Sequence, residues 1–178
     1  FDHGQLMELV EKHFSPWEKS GHTLITPEEP PQKKAKRAHI DWPSQTLPRL
    51  AMGFHGPAFS VEKIDKAALD LLAEIAFSPS SALYQKLVIE EQACFNLYAS
   101  FPDRRDPYLM SFGATLKKDK DLPYVEEEIS KELERLKSEP VSEEALAEIK
   151  SNLKYSFANS LGTTDGIAGN LAFYINLT

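Results

Sequence analysis

The chain has 178 residues, 42% hydrophobic and 26% charged, with a net charge of −7. That balance is typical of a soluble globular protein long enough to bury a core, organised as one domain or at most two small ones. It argues against a nucleic-acid binder, whose electrostatic footprint is basic. Cys94 is the single cysteine, so no intrachain disulfide forms, and no apolar run is long enough to span a membrane.

The opening stretch, FDHGQLMELVEKHF (1–14), places Leu6, Leu9, Val10 and Phe14 at helical spacing. His3 and His13 bracket Glu8 and Glu11, the residue types of a zinc site. The two histidines are ten positions apart, however, which on a helix means about 80° of rotation and about 15 Å of rise. They cannot share an ion. Neither HExxH nor HxxEH occurs in the chain. The segment reads as a packing helix, with His13 near its C-terminal end, where the helix dipole favours a cation.

SPWEKSGH (15–22) is a turn region, HTLIT (22–26) a short β-branched stretch, and EEPPQ (28–32) a proline-rich one. The basic cluster KKAKR (33–37) reads as a solvated loop running into an edge strand. In KRAHIDW (36–42), Ala38, Ile40 and Trp42 alternate with Arg37, His39 and Asp41, which predicts a half-buried strand with His39 on its polar face. LPRLAMGFHGPA (47–58) predicts a second strand. Leu50, Met52 and Phe54 share one face; Ala51, Gly53 and His55 share the other, where the small residues suggest close packing and a structural role for His55.

Ile64, Ala67, Ala68, Leu71, Leu72 and Ile75 predict a well-buried helix, capped by Ser60 or a neighbour. SPSS (78–81) breaks it, and a second helix is expected over 80–92. ACFNLYASF (93–101) and PYLMSFGATL (107–116) predict a hairpin. The core faces are Ala93, Phe95, Leu97, Ala99 and Phe101 on one strand, and Met110, Phe112, Ala114 and Leu116 on the other. Cys94, at the start of a strand, is not expected to be a nucleophile.

Residues 122–139 predict a helix with Leu122, Val125, Ile129, Leu133 and Leu136 on its core side, Pro123 near its start and Pro140 beyond its end. Residues 141–161 predict another, with Ser142 as N-cap and a stripe of Leu146, Ile149, Leu153 and Phe157. The many glutamates read as solvated helix faces. Gly162 ends that helix, and Thr163 or Thr164 can cap the last one. The chain does not begin with Met and closes on the apolar GIAGNLAFYINLT, so a fragment of a longer protein is expected. The element order indicates an α+β fold, a two-layer sandwich of a mainly antiparallel sheet covered by helices.

Several strings resemble the M16 (insulinase, pitrilysin) zinc peptidases. HGPAFSVEKIDKAALDLLAEIAF (55–77) resembles the family's strand, Gly-Pro turn and Ala-Ala-Leu helix. SSALYQKLVIEEQACFNLYAS (80–100) is similar to its Ser-Arg-Leu-Tyr helix and following strand, with Ala82 in place of the Arg. VSEEALAEIKSNLKYSF (141–157) resembles its Thr/Ser-Glu-Glu-Leu helix, and FDHGQ its Gly-Asp-Phe-Asp opening without the first two residues. The order and spacing of these strings over nearly the whole chain carry the resemblance. It implies a single M16-type module, residues 1–178, of the kind that binds no zinc: the inactive companion domain.

The resemblance implies further that zinc and its general-base Glu lie in an upstream zinc-binding module of the same protein. This chain would brace that module and form part of a peptide-enclosing chamber. It contributes no catalytic and no metal residue. Modules of the C-terminal half often carry an Arg and a Tyr seven residues apart that hold the substrate. Those positions fall on Val88 and Phe95, and neither side chain can donate a hydrogen bond. The module therefore comes from the active half, or from a half that has lost the pair. One alternative is a structural M16-like scaffold whose parent lacks zinc. Another is an unrelated enzyme using His39, His55 or Cys94. The bacterial periplasm or cytoplasm is the expected setting.

Overall fold

The computed structural model describes every residue except Phe1, Thr23, Leu24, Thr26, Glu28, Glu29 and Thr178. The expected β-branched stretch 22–26 thus lies largely outside the described residues. The chain divides into two units, residues 1–41 and 42–178.

The first unit holds one helix, α1 (His3–Phe14). Asp2 caps it, its carboxylate accepting from the Gln5 amide at 2.7 Å, and Lys12 and His13 sit in the last turn, as the dipole favours. Phe14 meets Trp17 edge to face, ring centroids 4.9 Å apart. Among the described residues the rest of the unit has no regular structure, and this corrects one expectation: residues 36–42 form no strand, and Ala38, Ile40 and Trp42 are all exposed. Alternation alone does not make a strand, because a strand also needs a partner edge to satisfy its amides.

The second unit is built on an antiparallel sheet in the order β1-β3-β2. Its strands are β1 (Arg49–His55), β2 (Cys94–Ser100) and β3 (Leu109–Leu116). The register aligns Leu50 and Leu97 with Ala114, and Met52 and Ala99 with Phe112. One face of the sheet is therefore continuously apolar. Phe112 anchors it, with the rings of Phe77, Phe101 and Phe54 at 5.2, 5.3 and 5.8 Å.

Helices cover that face. α2 (Asp65–Phe77) packs on β2, and α4 (Leu122–Ser138) packs on β3. α4 follows the predicted spacing: Val125 and Ile129 are fully buried, and Leu122, Leu133 and Leu136 pack against the core. Its outer face is laced with short-range pairs such as Arg135–Glu132 and Lys137–Glu134. α5 (Glu143–Ser160) is capped by Ser142, which accepts from the Ala145 amide, and α6 (Thr164–Leu177) by Thr163, which accepts from the Gly166 amide.

Three expectations about packing need correction. α2 is buried only at Ala76 and Phe77; Ala67 and Ala68 are exposed, and Ile64 is 78% exposed. No side chain caps it, because the Ser60 hydroxyl accepts from Glu62 in the preceding turn. The helix expected over 80–92 is an α-turn, α3 (Ala82–Tyr84), continued by a π-helix over Gln85–Glu90. In α5 the stripe is only half-buried, and Phe157 is exposed.

Candidate functional site

Val88 and Phe95 flank the junction between the π-helix and β2. Ser81 starts it by accepting from the Tyr84 amide at 3.2 Å. Leu83 and Leu87 then turn into the core, and Val88 packs half-buried against it. π-turns insert an extra residue and are frequent at functional sites. The exit is tight as well, because Gln92 adopts a left-handed φ of 52°, a region that non-glycine residues enter rarely.

β2 then opens with a bulge. Cys94 pairs with Leu116 and Asn96 with Thr115, so Phe95 has no partner of its own. One extra residue exchanges the faces. Cys94 is fully buried where Phe95 was expected, and Phe95 is 52% exposed. From Leu97 onward the predicted alternation resumes. Asn96 mends the ladder by accepting the Thr115 amide on its side-chain oxygen at 3.1 Å. Lys117 stands 5.4 Å from the Phe95 ring centroid and donates to the Gln92 side chain at 3.1 Å.

A charged cluster ties this junction to α4. Lys86 reaches Glu128 at 2.5 Å and lies over the Tyr124 ring at 5.6 Å. The Tyr124 hydroxyl meets both oxygens of Glu91, at 3.0 and 2.9 Å. Lys131 pairs with Glu127 and Glu128. The hydrogen bond to Glu128 raises the Lys86 pKa, and the Lys86 bond, seconded by Lys131, lowers that of Glu128. Burial, with the Glu91 bond, raises that of Tyr124. Composition alone assigned Glu128 to a solvated face; no spacing rule links it to Lys86, 42 positions away.

The sign of the Glu128 shift yields a prediction. A carboxylate held below its unfolded pKa of about 4.3 stabilises the fold above that value and loses its contribution as pH falls through the lower folded value. Glu128→Gln is therefore expected to destabilise the chain most at neutral pH and progressively less below about pH 4. Urea unfolding of both proteins across that range checks this. A difference independent of pH would overturn it.

Cys94 offers little chemistry. Burial, with Asp121 and Glu91 nearby, pushes its thiol up to about 11, whereas a reactive cysteine needs a lowered pKa and access. Ionisation alone is expected to slow labelling by a thiol reagent about 100-fold at pH 8 relative to a free cysteine. Labelling as fast as in urea would contradict the burial.

The outer face of the sheet is open, contrary to the close packing expected beside His55. Ala51, Gly53 and His55 are exposed, and the nearest atom to a Cβ built on Gly53 is a Leu109 methyl at 3.8 Å. Around Gly113 the face is covered by the Tyr98 ring.

The histidines do not assemble. His3 and His13 lie on α1, His39 pairs with Asp41 at 3.1 Å, and His55 ends β1. Among the described residues, no three His, Cys, Asp or Glu side chains form a group that could hold a metal ion. These residues do not fit a zinc site. No described helix is long and apolar enough to cross a membrane.

Residues 1–153 match the family model of the peptidase M16 inactive domain. The zinc protease PqqE of Helicobacter pylori is 27% identical over 175 residues, 96% of this chain but 39% of that protein. The crystal structure of a protease from Helicobacter pylori superposes with a TM-score of 0.83 at 26% identity, covering 99% of this chain and 43% of that one. The peptidase M16 inactive domain from Pseudomonas fluorescens, at 19% identity, shares the fold with a TM-score of 0.67, covering 100% of this chain and 42% of that one. The chain thus spans about two-fifths of the length of these relatives, and it belongs to the peptidase M16 inactive-domain family.

Proposed function

We propose that this chain is the non-catalytic companion domain of a zinc metalloendopeptidase, read as one module over residues 1–178 of a longer polypeptide. It braces an upstream zinc-binding module and forms part of the wall around the peptide. The observation that carries the bracing role is the apolar surface on the last two helices. Tyr155 and Phe157 of α5, and Leu171, Phe173 and Ile175 of α6, are exposed. A mostly apolar helix such as α6 normally packs against other protein.

The open outer face of the sheet, with its small residues, supports the wall role. No catalytic or metal residue is assigned to this chain, and zinc, with the base that activates water, belongs to the upstream module. Val88 is half-buried and Phe95 exposed; with no side-chain donor at either position, the substrate would be held here by shape and apolar contact. The name of the Helicobacter pylori relative, a zinc protease, supports zinc in the parent.

Zinc content tests the reading. A protein extended upstream by one module is expected to hold one zinc ion, and the 178-residue chain none. Stoichiometric zinc in the 178-residue chain would overturn it. No zinc in the extended protein would replace it with a zinc-free scaffold.

A further inference from the structure

We propose that the π-helix over Gln85–Glu90 is a two-state element, held in its π form by a clamp from α4 and reverting to an α-helix when the clamp opens. The clamp is Tyr124 and Glu128, one turn apart on α4. Glu128 accepts from Lys86 at 2.5 Å, and the Tyr124 hydroxyl donates to the Glu91 carboxylate, 3.0 and 2.9 Å from its two oxygens. Lys86 and Glu91 are also the two ends of one backbone hydrogen bond. The Glu91 amide donates to the Lys86 carbonyl, five residues back, at 2.9 Å.

That spacing ties the clamp to the π form. On an α-helix, residues five apart point about 140° away from each other around the axis, so Lys86 and Glu91 could not both face α4. The wider π-turn, closed from residue i to i+5, brings them to one side. The local sequence does not ask for a π-turn. Gln85, Lys86, Leu87, Glu90 and Glu91 are all good α-helix formers. The run also begins as α, with the Gln85 amide bonded to the Ser81 carbonyl four residues back.

The π form strains its exit. A π-turn takes up one residue more than an α-turn, so one fewer is left to reach β2. Gln92 makes the connection in the left-handed region, with φ 52°, and Lys117, just beyond β3, donates to its side chain at 3.1 Å. A strained connector opposing a side-chain clamp makes a bistable element. With the clamp open, the Glu91 amide passes from the Lys86 carbonyl to that of Leu87, and Glu91 turns away from α4. The residue released relaxes Gln92, and the surface between Val88 and Phe95 changes shape with it.

The test is NMR of the 178-residue chain labelled with ¹³C-glutamine, whose Cα and Cβ shifts report a left-handed φ. The Gln92→Gly variant identifies the Gln92 signals by their loss. The wild-type chain is expected to show Gln92 left-handed. The double variant Tyr124→Phe, Glu128→Gln is expected to stay folded and to move Gln92 to helical or extended shifts. Urea unfolding gives a second readout. Glycine enters the left-handed region without steric cost, so Gln92→Gly is expected to raise the midpoint of the wild-type chain and to leave that of the double variant unchanged or lower. A folded double variant with Gln92 still left-handed overturns the inference, as does an equal Gln92→Gly gain in both backgrounds. A double variant that does not fold also overturns it, because the clamp would then hold the fold and not one of two forms.

Discussion

Ile129→Ala is expected to destabilise the chain by about 2–5 kcal/mol, the range for removing a large aliphatic side chain from a closed core. Ile129 is fully buried on α4, in one cluster with Leu87, Leu116 and Val125. Most of its surroundings belong to regular elements that pack on the same sheet face, so the site cannot easily collapse around the missing atoms. The informative control is Ile64→Ala. Helical periodicity puts Ile64 in the same kind of stripe, but it is 78% exposed and is expected to change stability by less than about 0.5 kcal/mol. Urea unfolding of both variants decides the matter. Equal losses would mean that Ile64 is buried in solution and that α2 packs along its whole length.

Gly113→Ala is expected to cost about 1–3 kcal/mol by overpacking. Gly113 lies in the central strand β3, and a Cβ there would stand 2.3 Å from the Leu50 carbonyl oxygen and 2.6 Å from the Tyr98 ring. The ring can swing away, but the carbonyl belongs to the neighbouring strand and moves only with the ladder. Tyr98→Ala should therefore rescue only part of the loss, which a double-mutant comparison measures. Gly53→Ala supplies the contrast, because its new methyl meets nothing closer than 3.8 Å. It is expected to be neutral, or stabilising by about 0.5–1 kcal/mol through the loss of glycine's backbone freedom. A neutral Gly113→Ala would mean that the sheet is looser than its register implies.

The contrast between these residues shows where local patterning stops being informative. α4 is legible from Leu122, Val125, Ile129, Leu133 and Leu136 because its whole core face meets one sheet. β3 is legible from Met110, Phe112, Ala114 and Leu116 because a central strand is paired on both sides and has no room to slip. Ile64 and Phe157 carry the same periodicity, but periodicity names the face a helix would bury, and burial also needs something opposite. Residues 36–42 have a strand's alternation and form no strand, because alternation names the face a strand would bury and does not supply the edge it must pair with.

The junction that positions Val88, Phe95 and Cys94 was the least legible part. Its strings carried the family resemblance, so its place in the fold was known. A π-helix and a bulge each insert one residue into a regular run, and in β2, where side chains alternate, that insertion exchanges the buried face. Composition cannot show this, because Cys94 and Phe95 are both acceptable in a core. Nor could the pairing of Lys86 with Glu128 be read from a chain in which they stand 42 positions apart. The sequence by itself determined the α+β class, most of the helices, the hairpin and the family, because these rest on short-range periodicity and on the order of motifs. The tertiary structure decided which apolar faces are covered, which side of β2 faces the core and which charges meet, because each depends on residues that only the folded chain brings together.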